Sequence, residues 1–231
     1  PTPRAEADDD KRKSLRLSVA LPISDLDSLT FDAGALQGDG KVGNGDDTTP
    51  IRNNTRSYDY IRLRHDHQFE NGDHIYIQAF NTREEHNDER NVFPVDVGTG
   101  TLFSATFANQ YGSSRSELEA VCTPDANEAF RYVVGGSVRR DQIKSPSNLL
   151  SKENYSVLRG FINTETRLGG NTLLGLGGMY EDHGYSGSSF SPKLSIVRLI
   201  GEQYALRFIA SKATRSPIAF EQNCHFTTGI D

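Results

Sequence analysis

The feature that most constrains this chain is the way its connections sort by length. From residue 14 onward, segments of alternating apolar and polar residues are separated by turn-forming residues. Tight connections occur at Glu70-Asn71-Gly72-Asp73, Leu168-Gly169-Gly170-Asn171 and Ile200-Gly201-Glu202-Gln203, with a slightly longer one at 124–128. Asn-Gly and Gly-Gly supply the positive φ that hairpin turns need. Long polar connections, at 37–56, 84–112, 143–153 and 181–189, alternate with the tight ones. In an up-and-down sheet every second connection lies at the same rim, so one rim has turns and the other has loops. Outer-membrane barrels show this asymmetry, with short periplasmic turns and long extracellular loops.

The segments carry the period of a strand. Residues 14–22 put Leu15, Leu17 and Val19 on one face. Residues 57–68 set Ile61, Leu63 and His65 against Arg62, Arg64 and Asp66, and 73–83 continue with Ile75, Ile77 and Ala79 in phase. Residues 113–122 alternate Glu117 and Glu119 against Leu118 and Ala120, and 130–142 alternate Tyr132, Val134 and Val138 against Arg131, Ser137 and Arg139. With 29–36, 154–168, 172–180, 190–199 and 204–213 this makes about ten strands, each near the length a tilted strand needs to cross a bilayer. No window sustains apolar residues at i, i+3, i+4 and i+7. The expected fold is all-β, an antiparallel up-and-down transmembrane β-barrel fragment.

Composition agrees with this fold. The 231 residues are 35% hydrophobic and 24% charged, with net charge −6. No stretch approaches the roughly 20 apolar residues of a spanning helix, whereas barrel strands keep mean hydropathy low by alternating lipid-facing and lumen-facing residues. The mild acidity, the lack of Trp and the lack of a basic stripe argue against nucleic acid as a partner. Cys122 and Cys224 are too far apart for a metal pair; they could form one bridge but read as two free thiols. Neither G-x-S-x-G, H-E-x-x-H nor a phosphate loop occurs, so no catalytic residues and no enzymatic activity are expected.

Two segments resemble a known family. Residues 190–221, FSPKLSIVRLIGEQYALRFIASKATRSPIAFE, resemble the late-barrel signature of TonB-dependent outer-membrane receptors, ending in Arg215-Ser216-Pro217 and Glu221. Residues 57–89 are similar to an earlier barrel hairpin of the same family. The resemblance covers residues 14–221. It implies an active importer of a scarce nutrient, most commonly a ferric siderophore, with a barrel of about 22 strands around a plug. The implied partners are the TonB energising complex, reached through an N-terminal part missing here, the ferric ligand and outer-membrane lipid. The implied location is the bacterial outer membrane, and no cofactor is expected.

The expected division is a flexible or loop segment at 1–13, a partial barrel at 14–221 and an irregular tail at 222–231. The chain starts at Pro1 with no signal peptide, plug or TonB box, which reads as a fragment or processed piece.

Candidate site residues follow from this layout. Phe93, Phe103, Phe107 and Tyr111 lie in the long connection 84–112, where aromatic rings could grip a bulky planar ligand. Arg215, Pro217 and Glu221 are the family-motif residues. Pro217 cannot donate to a ladder, so a strand end near Ala213 is expected, with Arg215 in the upper lumen in a structural role. Arg62, Arg64, Arg131, Arg139, Glu117 and Glu119 fall on the polar phase and read as a lumen wall of offsetting charges. His65, His67 and His74 read as a patch near a turn rather than a metal site. Asp8-Asp9-Asp10 and Asn44-Gly45-Asp46-Asp47 lack calcium-loop spacing and read as solvated loops. A passive porin, an autotransporter barrel and a soluble β-rich binding module are the alternatives. A soluble module would pack its apolar faces against each other.

Overall fold

The computed structural model describes residues 10–43, 51–88, 91–96, 98, 100, 102–107, 109–125, 129–146, 148–149, 151–201, 203–217, 219–223 and 229–230. For 91–95, 102–107, 219–220 and 229–230 only the backbone is described. Ten strands form one antiparallel sheet in which neighbours follow chain order, a pure meander apart from one insertion. They are β1 (Asp10–Pro22), β2 (Asp27–Val42), β3 (Arg52–Gln68), β4 (His74–Asp88), β7 (Gln110–Thr123), β8 (Phe130–Lys144), β9 (Glu153–Arg167), β10 (Thr172–His183), β11 (Gly187–Ile200) and β12 (Tyr204–Ser211). The insertion between β4 and β7 is a hairpin of β5 (Asn91–Asp96) and β6 (Leu102–Phe107). After β12 come a short helix α1 (Ala219–Asn223) and β13 (Gly229–Ile230), which pairs with β6. The main sheet is unclosed, with β1 and β12 as its edges.

The expected ten-strand meander is therefore present, but its strands are longer than period-2 reading finds. β2 runs 16 residues and β3 runs 17, where a membrane crossing takes about 9–11. The surplus lies at the loop rim. Residues 37–42, 52–56 and 84–88, read as loop, extend the strands. The fourth long connection shrinks for the same reason. β10 reaches His183 and β11 starts at Gly187, so 181–189 is mostly ladder and the link is a tight one at 184–186. At the other rim the turns are as expected. Gly72, Gly169 and Gly201 take φ values of 91°, 66° and 63°, which an L side chain rarely adopts.

Paired residues share a face, so the ladders sort every strand into two phases. The outer phase is apolar through mid-strand. One row runs Val19, Phe31, Leu63, Ala79, Leu118, Val138 and Leu158 across seven strands. Leu118, Val138 and Leu158 are 55%, 56% and 51% exposed. Among the described residues the only buried apolar side chains are Val121, Leu149 and Val157. A soluble sheet hides its apolar phase against a second layer. Among the described residues no such layer covers this sheet, and its apolar phase forms a band that water would not tolerate at this size. Lipid is the solvent that fits. No described helix is long and apolar enough to cross a membrane, which leaves crossing to the strands.

Candidate functional site

The inner phase holds the charges. Asp32, 3% exposed, receives Ser18 Oγ at 2.7 Å and Arg62 Nη2 at 2.6 Å. Asp66 takes Arg64 Nη2 at 2.6 Å and lies 3.0 Å from His74 Nε2. The Arg64 guanidinium also lies over the Tyr76 ring, 3.9 Å from its centroid. Glu119 accepts from Tyr76 Oη at 2.9 Å and Gln78 Nε2 at 2.8 Å. Asp141 accepts from Arg115 Nε at 2.7 Å, and Arg139 Nε lies 2.8 Å from its other oxygen without hydrogen-bond alignment. Arg159 bonds Glu181 at 2.9 Å, and Arg131 pairs with Glu165. Glu117, buried, stands opposite Arg139 in the ladder. The four arginines singled out from the sequence each have a carboxylate partner, so the wall is charged but locally neutralised. Arg62 and Arg131 meet the residue opposite them on the neighbouring strand, where opposite charges stabilise the sheet, while Arg64 and Arg139 reach the carboxylate two residues along their own strand, on the same face.

Glycine opens the inner face. Gly34 sits beneath the ring of Tyr60, and a Cβ there would meet Tyr60 Cε1 at 2.4 Å. Gly175 and Gly177 floor a hollow of about 260 Å³ bordered by Lys193 and Arg207.

Tyr111 is not a loop residue. It lies on β7, its hydroxyl donates to Glu84 at 2.8 Å, and its ring stacks on His86 at 5.1 Å. Asn54 Nδ2 lies 3.4 Å from His86 Nε2, and Arg52 forks onto both oxygens of Asp88 at 2.8 Å. This rim cluster was missed in the sequence because its residues sit where both faces are polar and alternation gives no signal. Phe93, Phe103 and Phe107 lie on the β5–β6 hairpin. Phe103 pairs with Val95 and Phe107 with Asn91, so positions 93, 103 and 107 share one phase of its ladder. A second rim cluster stacks Tyr155 against His183 at 4.7 Å and beside Tyr185 at 5.8 Å.

The family-motif segment leaves the wall earlier than expected. β12 ends at Ser211, two residues before Ala213. Lys212 N bonds Pro192 O at 3.1 Å, and Ser216 Oγ reaches Glu181 Oε1 at 3.1 Å, so the chain bends over the inner face of β11 and β10 ahead of Pro217. Arg215 is largely exposed and bonds Glu221 Oε1 at 2.7 Å. That carboxylate raises the Arg215 pKa further above its ordinary value.

The three histidines fall into two sets. His65 and His67, on the outer phase, both face Asp27 Oδ1, at 3.1 and 2.7 Å, while His74 is on the inner phase. Cys122 is a free thiol. Cys224, Asp8-Asp9 and Asn44-Gly45-Asp46-Asp47 lie outside the described residues.

Residues 7–230 match the family described as TonB dependent receptor-like, beta-barrel. The chain belongs to that family. Its members are transport receptors whose barrels sit in the outer membrane of Gram-negative bacteria. No curated protein matches the chain. Among solved structures it is similar to the siderophore receptor PirA of Pseudomonas aeruginosa, at TM-score 0.73 and 15% identity over 91% of this chain and 34% of that one. PirA of Acinetobacter baumannii follows at TM-score 0.64 and 17% identity, over 92% and 35%. A mutant ferric enterobactin receptor, PfeA of P. aeruginosa, gives TM-score 0.69 and 14% identity, over 90% and 34%. At these identities the likeness is one of fold. The chain spans about a third of the length of the receptors it matches.

Proposed function

We propose that this chain is wall and extracellular rim of a TonB-dependent importer of a ferric siderophore, set in the bacterial outer membrane. The observation that carries the reading is the division of one sheet into an apolar outer phase and an inner phase of paired charges, in a chain of this receptor family. An open sheet cannot stand in lipid, because the edges of β1 and β12 would present unpaired backbone groups. The working barrel therefore has further strands beyond these ten. TonB would engage a part of the protein outside this chain. The structures it resembles, siderophore and ferric enterobactin receptors, favour an iron chelate as cargo. In this reading the connection between β4 and β7 supplies Phe93, Phe103 and Phe107 to the ligand, together with Tyr111 on the wall. Arg215, Pro217 and Glu221 act structurally, fixing the course of the chain as it leaves β12.

The test is uptake of radioactive iron, supplied as a panel of ferric siderophores, by cells expressing the full-length receptor. Saturable uptake of at least one chelate that stops when the inner membrane is de-energised is the expected result. Uptake that is unsaturable and indifferent to energisation would mean a passive porin.

A further inference from the structure

On the inner face of β2, β3 and β4 the wall turns from charge pairs to rings. From mid-strand toward the loop rim its rows read Asp32–Arg62–Phe80, Gly34–Tyr60–Thr82 and Leu36–Tyr58–Glu84. Tyr58, Tyr60, Arg62, Phe80 and Asp32 border a hollow of about 390 Å³, with Arg16 of β1 at its side. On the opposite phase of β3, Leu63 and Ile61 are the last apolar residues before Asp59. The hollow therefore lies level with the upper edge of the apolar band, inside the mouth of the lumen.

Backbone supports the rings. Tyr60 packs over Gly34, so β2 backs one face of the ring and the other is open to the hollow. The Tyr58 ring stands 6.1 Å from it, tilted by 39°. Hydrogen bonding around the rings is lopsided. Asp32 has both oxygens taken, Oδ1 by Ser18 and Oδ2 by Arg62 Nε and Nη2 at 3.1 and 2.6 Å. Glu84, opposite Tyr58, accepts from Tyr111 at 2.8 Å. The donors are in surplus. Arg62 spends only one edge of its fork on Asp32. Among the described residues its Nη1 and the hydroxyls of Tyr58 and Tyr60 have no hydrogen-bond partner, and Arg16 forms no ion pair within 4.0 Å.

We propose that this hollow binds an aromatic oxyanion, the catecholate arm of an iron(III) chelate, and so sets a preference for catecholates over hydroxamates. The inference rests on the importer reading and names its substrate class. The rings select a planar guest, because aromatic faces and edges pair with one another. The spare donors select an oxyanion, since a guanidinium edge and phenol hydroxyls bond charged oxygen more strongly than neutral oxygen. The buried Asp32 holds the Arg62 fork in place before any guest arrives, which lowers the ordering cost of binding. The volume is at the low end of small-molecule sites of about 300–1,000 Å³, which suits one arm of a chelate rather than the whole. Iron(III) ringed by catecholates is a net anion edged with flat rings. A trihydroxamate chelate offers neither feature.

The test is equilibrium binding of two radioactive iron(III) complexes to the purified full-length receptor, one of the tris-catecholate enterobactin and one of the trihydroxamate desferrioxamine. The intact receptor should bind the catecholate complex at least about tenfold tighter. Tyr58→Leu and Tyr60→Leu should each weaken that binding about tenfold while the heat-modifiable mobility of the barrel is kept. Tyr60→Phe keeps the ring and drops only the hydroxyl, so it should lose only about threefold. Tyr132→Leu, on the outer phase of β8, should change nothing. Equal affinity for the two complexes overturns the proposal, as does binding of neither, or unchanged catecholate affinity in both leucine variants. Energised uptake of some other chelate would then leave the importer reading standing without it.

Discussion

Leu118→Arg separates a membrane wall from a soluble sheet at one position. Leu118 lies mid-row in the outer phase of β7, flanked by Ala79 and Val138, and is 55% exposed. If water surrounded this face, the change would replace an exposed leucine with a better-solvated side chain and destroy no packing. Such surface substitutions fall within about ±0.5 kcal/mol. If lipid surrounds it, a cation is added in the uppermost row of the apolar band, at a cost of about 1–2 kcal/mol, between the midplane and interface values. At 1.36 kcal/mol per decade that is about 5- to 30-fold in the folding constant. Leu158→Arg, two strands along the same row and 51% exposed, should cost a similar amount. Asn154→Arg, on the outer phase of β9 but above the band, should cost only about 0–1 kcal/mol. The measurement is guanidinium unfolding of the full-length receptor in phospholipid vesicles, read as the midpoint shift at constant m. A Leu118→Arg shift below about 0.5 kcal/mol, or one equal to that of Asn154→Arg, would refute the assignment of this phase to lipid.

Three further outcomes follow from the inner face and the rim. Asp141→Ala leaves Arg139, whose side chain is 15% exposed, without its carboxylate. A broken buried pair costs about 3–5 kcal/mol, and the wetter Arg115 can re-solvate, so a loss of about 3 kcal/mol in unfolding free energy is expected, with partial recovery on adding Arg139→Leu. Gly34→Val drives a side chain into the Tyr60 ring, and should cost about 1–3 kcal/mol by the same unfolding assay, relieved by Tyr60→Ala. Replacing Phe93, Phe103 and Phe107 together by alanine should raise KM for iron-chelate uptake about tenfold, on the order of 1.4 kcal/mol of binding, with no change in the unfolding midpoint. An unchanged KM would remove the β5–β6 hairpin from the ligand site.

The boundary between what the sequence discloses and what it hides coincides with the membrane surface. Alternation is informative only where the two phases of a strand meet different solvents. Leu63 against Arg62 and Arg64, or Leu118 against Glu117 and Glu119, can be read because one phase meets lipid and the other the charged interior. Above the band both phases are wet. The ends of β2, β3 and β4 (Gly38–Val42, Arg52–Arg56 and Glu84–Asp88) carry polar residues on both sides and read as loop, although the ladder continues through them. The rim cluster of His86, Tyr111, Glu84 and Asn54 is built in that stretch, from residues on three neighbouring strands that are far apart in sequence, so no local spacing could reveal it. The connection at 184–186 is a different case. Its Gly-Tyr-Ser-Gly run carried a turn signal, and Gly187 does take φ 83°, but the polarity of 181–189 obscured it.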